Sequence, residues 1–365
     1  MNEALRTLSK GFSSVRIMEF CGGHTHALVR SGLLSLLPKQ LRMIHGPGCP
    51  VCVLPPHHLQ AVMDLLGEHP SLTAVVYGDL MRIPTLGGQT LAQMPPSSVK
   101  MIYSPMEILK LAEEHPERQF LFLAIGFETT APATAVLLKE LRRRNTKNVF
   151  VLCLHVLTPP AVQAVMDSFC GGADGTDLGS PGDRPEAIIG PGHVSLVTGI
   201  SCFEAMAQRF KIPIVISGFE GSDLAEAVAM ILRLLQQGQT GVFNQYTRAL
   251  RPEGNRQAQS LLAEVMTVRS SFVWRGLGEL PRSALALNAE WSEFDAEKRF
   301  ELKYRSVPEH PLCQCGAILR GQKRPDDCRL FNKACLPTRP LGACMVSSEG
   351  ACHAYLQRVE EEART

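Results

Sequence analysis

The sequence lacks the local signatures of several common classes of enzyme. It contains no G-x-G-x-x-G nucleotide fingerprint, no Walker A loop, no H-E-x-x-H zinc motif and no G-x-S-x-G nucleophile elbow. A nucleotide-driven mechanism and a serine-hydrolase mechanism therefore have no local support.

Long apolar runs and an excess of one charge are also absent. The longest strong apolar run, about Phe120 to Phe127, is far shorter than the roughly eighteen residues that span a membrane. The 37 basic and 35 acidic residues nearly cancel, which gives no reason to expect a nucleic-acid or membrane-surface partner. The first ten residues carry no apolar segment of the secretory type. We therefore expect a cytoplasmic protein with no membrane partner and no nucleic-acid partner.

Cysteine, in contrast, is abundant, with twelve residues in a chain of 365. Disulfides rarely persist in a reducing compartment, so a disulfide framework is not expected. Most of the thiols lie in two clusters, for which metal binding or redox chemistry is the usual reason. The first cluster is Cys21, Cys49 and Cys52, the second is Cys313, Cys315, Cys328, Cys335, Cys344 and Cys352, and Cys153, Cys170 and Cys202 are scattered between them.

Short runs of β-forming residues alternate with helical patterns along the first two thirds of the chain. Most of these runs are continuously apolar, which is typical of strands buried on both faces, so the alternation predicts a parallel α/β architecture. The predicted strands are Val15–Phe20, Leu41–His45, Leu72–Tyr77, Val99–Tyr103, Phe120–Ile125, Val149–Val156, Ala187–Ile189 and Pro213–Ser217. The clearest predicted helices are Leu59–Leu66, Ala133–Arg143 and Asp223–Leu235.

Two pairs of similar segments indicate two α/β lobes of related build. Residues 122–141 resemble residues 214–232, and residues 55–64 resemble residues 159–167. After about residue 245 recognisable strands stop, and a mainly helical and loop region rich in cysteine follows. The predicted boundaries are 12–115 with 213–245 for lobe I, which carries the CGGHTH and CPVC loops, 116–212 for lobe II, and 246–365 for the cysteine-rich domain, against which residues 1–11 are candidates to pack. The Gly-, Asp- and Pro-rich stretch 170–185 is predicted to be a surface loop.

The first candidate site follows the strand VRIMEF and reads Cys-Gly-Gly-His-Thr-His over residues 21–26. Functional loops of parallel sheets lie at the carboxyl ends of strands. One thiolate and two imidazoles within six residues form a plausible soft site for a transition metal. Alternatively, Cys21 is a nucleophile activated by His24 or His26, or it is a buried cysteine beside a helix-capping Thr25.

The second candidate site follows the strand LRMIH and contains Cys49-Pro50-Val51-Cys52. A Cys-x-x-Cys with proline between the thiols resembles the dithiol loops of disulfide oxidoreductases. Half of a four-cysteine zinc site is the rival interpretation. The sequence has no second Cys-x-x-Cys, which weakens that rival, and a purely structural role is the third possibility.

The third candidate site is the C-terminal cysteine cluster. Its spacing matches neither of the common ferredoxin patterns nor a paired zinc ribbon. Four thiolates from widely spaced loops could hold a [4Fe–4S] cluster or a structural zinc. Elsewhere, Glu128 follows a strand and could act as an acid, a base or a hydrogen-bond acceptor. His155, His193 and Asp79 also lie at strand ends.

Together these motifs resemble the HypD family of hydrogenase maturation factors over nearly the whole chain. The chain departs from the family in a longer loop over 170–185 and in Gly221-Ser222, where a proline is common. The motifs that carry the resemblance are MEFCGGHTHA (18–27), GPGCPVCV (46–53), GFETTAP (126–132), GPGHVS (190–195), NQYTR (244–248), WRGLG (274–278), FDAEKRF (294–300), CQCGAILRG (313–321), PDDC (325–328) and GACMVSSEGAC (342–352).

The resemblance implies a fold of two α/β lobes with a cluster-bearing domain, and a role in assembling the Fe(CN)2CO group of nickel–iron hydrogenases. It implies a scaffold that works with a small HypC-type chaperone. It also implies that HypE, paired with HypF, supplies cyanide. The iron of the Fe(CN)2CO group is then cargo, whereas a [4Fe–4S] cluster is the resident cofactor.

Residue by residue, the resemblance implies that Cys21 binds the iron together with a chaperone cysteine, with His24 close by. It implies that Cys49 and Cys52 form a redox-active dithiol. It leaves Cys315 and Cys344 without a role. The implied ligands of the cluster are Cys313, Cys328, Cys335 and Cys352.

Three cysteine sites in one chain suggest a path for electrons. The hypothesis is that electrons pass from the C-terminal cluster through the Cys49/Cys52 dithiol to iron held at Cys21. The alternatives are a redox-inert binding scaffold with a structural cluster, and a stand-alone disulfide reductase.

Overall fold

The computed structural model describes residues 2–170 and 184–362. The helices are α1 (Asn2–Ser9), α2 (Gly22–Arg30), α3 (Leu33–Leu36), α4 (Pro50–Val53), α5 (Pro56–Glu68), α6 (Glu107–Glu114), α7 (Ala131–Arg143), α8 (Thr158–Ser168), α9 (Gly192–Thr198), α10 (Glu204–Phe210), α11 (Gly221–Gln236), α12 (Arg256–Val265), α13 (Ala296–Arg299), α14 (Cys315–Leu319) and α15 (Ala351–Glu362). The strands are β1 (Val15–Glu19), β2 (Leu41–His45), β3 (Leu72–Val76), β4 (Val99–Met101), β5 (Gln119–Gly126), β6 (Val149–His155), β7 (Ala187–Pro191), β8 (Pro213–Ser217), β9 (Gly241–Asn244), β10 (Met266–Val268), β11 (Ser271–Trp274), β12 (Gly278–Pro281) and β13 (Leu285–Leu287).

Two parallel sheets organise the first two thirds of the chain. The first sheet has the strand order β2-β1-β7-β8-β9, and the second has the order β4-β3-β5-β6. The strands β3, β6, β7 and β8 are buried along their whole length, as expected for strands covered on both faces. The predicted fold class, parallel α/β lobes, is therefore confirmed. The structure adds β9, an edge strand of half-buried residues that the search for apolar runs missed.

The sheets divide the chain differently from the predicted boundaries. Strands β3 and β4, which were predicted for lobe I, belong to the second sheet, where β3 pairs with both β4 and β5. Strand β7, which was predicted for lobe II, lies between β1 and β8 of the first sheet. The chain crosses between the sheets twice, through α4 and α5 after β2 and through α8 after β6. The chain crosses between the sheets in α5 and α8, the helices that correspond to the similar segments 55–64 and 159–167. The amino-acid composition does not change within these helices, so the sequence gives no sign of the crossings.

The N-terminal helix also differs from expectation. Helix α1 packs against α11 of the first lobe, where its Leu5 is buried in the core with Val15. The side chain of Gln236 donates a hydrogen bond to the carbonyl of Leu8 (2.8 Å). An amphipathic helix buries its apolar side on the nearest apolar surface, and here that surface is α11 rather than the C-terminal region.

The prediction that strands stop after residue 245 is wrong. Strand β10 pairs with β13, and β11 pairs with β12, both antiparallel. These strands have three or four residues each and expose part of their side chains, so they lack the continuous apolar runs that marked the others. Residues 311–362, called here the cysteine-rich region, follow as loops, short 3-10 turns, α14 and α15. Most of the predicted loop 170–185, namely residues 171–183, lies outside the described residues.

The cysteine-rich region packs on both of the lobes. Helix α15 contacts α2 of the first lobe, while Cys315, Cys344 and Cys352 share a core with residues of the second lobe such as Leu121. None of the helices in the described ranges is long and apolar enough to cross a bilayer.

Candidate functional site

The first two cysteine loops meet at one edge of the first sheet. Strands β1 and β2 are neighbouring and parallel, so the loops that follow them leave the same edge. The backbone N–H of Gly22 donates to the carbonyl of Gly48 (2.9 Å). A Cβ atom at position 48 would lie 2.6 Å from the Cα of Cys21, so only glycine allows this approach. Cys21 and the CPVC loop therefore belong to one site.

The buried carboxylate of Glu19, the last residue of β1, holds this edge together. Its Oε2 accepts a hydrogen bond from the backbone N–H of Cys21 (2.8 Å). Its Oε1 accepts a hydrogen bond from the Thr25 hydroxyl and lies 2.6 Å from Nδ1 of His45, the last residue of β2. The sequence analysis missed Glu19. The available signal was a single carboxylate in an otherwise apolar strand end, because a buried charge needs such partners.

The Cys21 thiol is held in its protonated form. Cys21 caps α2 and is half-buried. Burial raises the pKa of this thiol to about 12, and the charges of Glu19 and Glu349 act in the same direction. A free thiol of this kind is a poor nucleophile, whereas a metal cation can displace its proton. The raised pKa therefore argues against the interpretation of Cys21 as a nucleophile.

Two imidazoles stack on Phe219, which follows β8. His24 is buried, its Nε2 lies 3.2 Å from the carbonyl oxygen of Ser217, and its ring is 4.6 Å from that of Phe219. Its Nδ1 is buried without a hydrogen-bond partner. Burial lowers the pKa of His24, so the neutral ring keeps a lone pair. His193, which follows β7, stacks on Phe219 at 3.6 Å. Of the strand-end candidates, His193 is therefore the one that joins the Cys21 site.

The CPVC loop forms a short helix with its cysteines at the start. Cys49 caps α4, and its Sγ accepts a hydrogen bond from the backbone N–H of Cys52 (3.2 Å). Cys52 is fully buried. Burial, followed by hydrogen bonds to Cys344 and Cys49, raises the pKa of Cys52 well above its usual value.

Thiols of the cysteine-rich region lie next to the Cys49/Cys52 dithiol. The Cys52 thiol donates a hydrogen bond to the carbonyl of Ala343 (3.7 Å) and lies beside the Cys344 side chain. Cys344 in turn lies beside Cys315 and Cys352, and Cys315 lies beside Cys313. These five cysteines are called here the sulfur chain. All twelve cysteines of the protein lie in the described ranges, and each carries a free thiol. The sulfur chain includes Cys315 and Cys344, the two cysteines to which the sequence analysis assigned no role.

The four predicted cluster cysteines lie in one part of the cysteine-rich region, with Cys335 linked to each of the other three. Cys335 interacts electrostatically with Cys313 and Cys328, and Cys352 interacts with Cys335 and Cys313. The Sγ of Cys335 also accepts a hydrogen bond from the backbone N–H of Leu341 (3.3 Å), a contact of the kind that tunes thiolates of iron–sulfur clusters. In chemical terms four adjacent thiols fit such a cluster. Nowhere in residues 2–170 and 184–362 do three His, Cys, Asp or Glu side chains stand as ligands around one metal position.

Glu128 and His155 lie at the edge of the second sheet and bond within that lobe. The Oε1 of Glu128 accepts a hydrogen bond from the backbone N–H of Thr158 (2.8 Å), and its Oε2 accepts one from the Thr158 hydroxyl (2.9 Å). Nε2 of His155 lies 2.9 Å from the hydroxyl of Thr134. Burial raises the pKa of Glu128 to about 7 and lowers the pKa of His155 to about 4. These contacts place Glu128 at the start of α8, apart from the sulfur chain. Asp79, the remaining candidate, is partly exposed and pairs with Arg82 (3.5 Å).

Comparison with known proteins gives a consistent match along the chain. The family model described as HypD, hydrogenase formation hypA family, matches residues 1–358. The hydrogenase maturation factor HypD of Cupriavidus necator is 47% identical over 341 residues, which cover 93% of this chain and 88% of that protein. The hydrogenase expression/formation protein HupD of Azotobacter chroococcum is 47% identical over 342 residues, with the same coverage. The hydrogenase maturation factor HypD of Escherichia coli is 39% identical over 349 residues, which cover 95% of this chain and 90% of that protein.

Proposed function

This chain belongs to the HypD family, and from that premise we propose that it is the scaffold on which the Fe(CN)2CO group of a nickel–iron hydrogenase is assembled. The names of its relatives assign them to hydrogenase maturation and formation, and the chain takes that general function from the family. The finer roles of its residues, argued below, are part of the proposal.

The convergence of the cysteine sites is the observation that carries the proposal. Cys21 and Cys52 are 31 positions apart in the sequence, and Cys344 is almost 300 positions further on. In the fold, the loop of Cys21 is bonded to Gly48, next to Cys49, and the Cys52 thiol bonds to the carbonyl of Ala343, next to Cys344. An isolated disulfide reductase would need the dithiol alone. A scaffold that binds iron and controls its redox state needs all of the sites adjacent.

Cys21 is the proposed protein ligand for the iron, which is the cargo of the scaffold. A thiolate suits an iron that carries cyanide and carbon monoxide, because soft ligands favour such centres. The thiol is half-buried at the sheet edge, which leaves one side for a second cysteine supplied by a HypC-type chaperone. His24 stays neutral beside it, positioned by Ser217 and Phe219.

Cys49 and Cys52 are the proposed redox dithiol, and Cys313, Cys328, Cys335 and Cys352 are the proposed ligands of a [4Fe–4S] cluster. When bound, such a cluster would supply electrons one at a time, whereas a dithiol stores two. The protein's own contribution is the sulfur chain, which connects the dithiol with Cys313 and Cys352 through buried thiols. Cytoplasmic conditions, which we propose for this protein, would keep these thiols reduced at rest.

The proposed partners are a HypC-type chaperone at the Cys21 edge and HypE, with HypF, as the cyanide donor. The test is to purify the chain without oxygen together with its small chaperone, and to measure iron, acid-labile sulfide and the infrared spectrum. We expect about four cluster irons plus one more, with bands in the cyanide and carbon monoxide region. Zinc in place of iron and an empty region of the spectrum would refute both assignments.

The redox part of the proposal needs its own test, because a scaffold with an inert cluster would give the same infrared bands. The matched variants are Cys49→Ala, in the dithiol, and Cys202→Ala, a thiol outside the three cysteine sites. We expect Cys49→Ala to prevent the diatomic ligands from assembling, and Cys202→Ala to have no effect. Normal assembly in the Cys49→Ala protein would leave the redox-inert scaffold as the better interpretation.

A further inference from the structure

Arg275 is the one arginine or lysine among the described residues whose side chain is fully buried, with 3% exposed. It directly follows β11 and is fixed between two parts of the candidate site. Its backbone N–H donates to the carbonyl of Val53 (2.7 Å), at the end of the CPVC helix α4. The next residue, Gly276, packs closely against Gly316 of α14. A Cβ atom on Gly276 would lie 2.8 Å from the Gly316 Cα. Arg275 is therefore held beside the helix that carries Cys315.

The charge of this guanidinium is only partly compensated. Its Nε donates to Oε1 of Glu309 (2.8 Å), whose side chain is 39% exposed. Its Nη1 is buried with no hydrogen-bond partner. An unpartnered donor on a buried cation is costly, so a bound negative group is the expected compensation.

Apart from Glu309, the groups beside this cation that become negative on losing a proton are thiols of the sulfur chain. The guanidinium interacts electrostatically with Cys315 and Cys344. Cys315 lies beside Cys313, and Cys344 lies beside Cys352. Arg275 is thus one thiol removed from two of the four proposed cluster ligands.

We propose that Arg275 is the internal counter-ion for the negative charge that a thiolate-ligated cluster brings into the cysteine-rich region. This inference rests on the proposed function, in which those cysteines hold the cluster. Four thiolates outweigh the positive charge of an iron–sulfur core, so the ligated cluster is anionic, and each added electron makes it more so. A buried cation nearby favours the added electron and raises the reduction potential. Arg275 acts on the cluster through the electrostatic effect of its positive charge. It is a positioning residue and not a ligand.

The test is a redox titration of the full-length chain, purified without oxygen and monitored by electron paramagnetic resonance, with iron and sulfide measured in each sample. In Arg275→Gln we expect the midpoint potential to move to a more negative value at unchanged iron and sulfide content. Arg275→Lys keeps the charge and should keep most of the potential. Glu309→Gln removes the competing carboxylate from a partly exposed position and should move the potential the opposite way.

Arg269→Gln is the matched control. Arg269 is also a well-buried arginine, but it bonds to Glu297 and to the carbonyl of Cys153, so its loss should leave the potential unchanged. If Arg275→Gln does not fold, the Arg275→Lys and Glu309→Gln pair still decides the matter. An assembled cluster whose potential moves in none of the Arg275 and Glu309 variants would overturn the counter-ion role alone. A wild-type chain without iron and sulfide would overturn the proposed function, and the counter-ion role with it.

Discussion

The two sheets are built alike at the carboxyl ends of their strands but carry different functional groups there. In each lobe a central strand, β1 or β5, is paired with an edge strand, β2 or β6, that leads into a crossing helix. At the first sheet the loops after these strands carry Cys21 and the CPVC motif. At the second, Glu128 follows β5 and His155 ends β6, and they bond to Thr158 and Thr134 within their own lobe. One edge presents reactive groups to other parts of the molecule, while the other uses its polar groups to hold a helix.

This comparison shows that a polar residue at a strand end is an ambiguous sign of function. Glu19 and Glu128 are both buried carboxylates at such ends, and both bond to backbone N–H groups and hydroxyls. What separates them is the neighbouring chemistry. Glu19 supports a thiol and an imidazole, whereas Glu128 supports the first turn of α8.

The largest expected effect comes from removing the reactive group at the first edge. Cys21→Ala should abolish the cyanide and carbon monoxide bands of the chain purified with its small chaperone, because Cys21 is the proposed protein ligand of the iron. Cluster iron and sulfide should remain. His155→Gln, at the end of β6 in the second sheet, is the control and should keep the bands. Bands of normal intensity in Cys21→Ala would remove the difference between the edges.

The second prediction concerns Glu128 and the pH dependence of stability. Burial raises its folded-state pKa to about 7 from 4.5. The folded protein therefore retains a proton that the unfolded chain releases, and stability falls as the pH rises from about 4.5 to about 7. Glu128→Gln should flatten that dependence by an amount on the order of 3 kcal/mol. Urea unfolding at pH 5 and pH 8 measures this.

The same Glu128→Gln protein also tests whether this carboxylate takes part in the chemistry. Because Glu128 bonds to α8 and not to the sulfur chain, we expect the infrared bands to persist in the variant at pH 6. Bands lost from a folded Glu128→Gln protein would show that the second edge is also reactive, and would restore Glu128 as a catalytic candidate.

The third prediction tests the close approach that joins the two cysteine loops. Gly48→Ala places a methyl group 2.6 Å from backbone atoms of Cys21 and Gly22. A clash of this kind should lower the free energy of unfolding by about 2 kcal/mol and reduce the iron retained with the chaperone. Gly67→Ala, in α5, meets nothing within 4 Å. It should stabilise the protein by about 0.5 kcal/mol because alanine is the better helix former. Equal effects at the two glycines would contradict this account.

Much of the fold could be predicted because its strands are continuously buried. Eight of the nine strands in the two parallel sheets match apolar runs of the sequence, and the exception, β9, is half-buried. Which strands share a sheet could not be predicted, because the chain crosses between sheets inside α5 and α8 without a change in composition. The hairpins β10–β13 were missed because their three- or four-residue strands expose part of each face.

The cysteines of the candidate site could be proposed from sequence because thiols and imidazoles are distinctive and adjacent in the chain. The residues that support them could not. Glu19, Phe219 and Arg275 are ordinary residues whose importance comes from contacts across 26, 195 or 222 positions, with His45, His24 and Val53 respectively. Such partners become visible only when the strand ends of the first sheet and the cysteine-rich region are brought together.

The smallest expected effect is at Phe219, which supports the imidazoles of the first edge by stacking alone. Phe219→Leu keeps an apolar side chain but removes the ring faces on which His24 and His193 rest, and aromatic contacts of this kind contribute about 1 kcal/mol. Phe300→Leu is the matched variant beside the second sheet, where the ring contacts Phe150 at 5.2 Å. Urea unfolding should show similar losses of stability for both, while the intensity of the infrared bands falls only in Phe219→Leu. A parallel fall in both variants would mean that the bands follow overall stability, and that the imidazole pair does not distinguish the first edge.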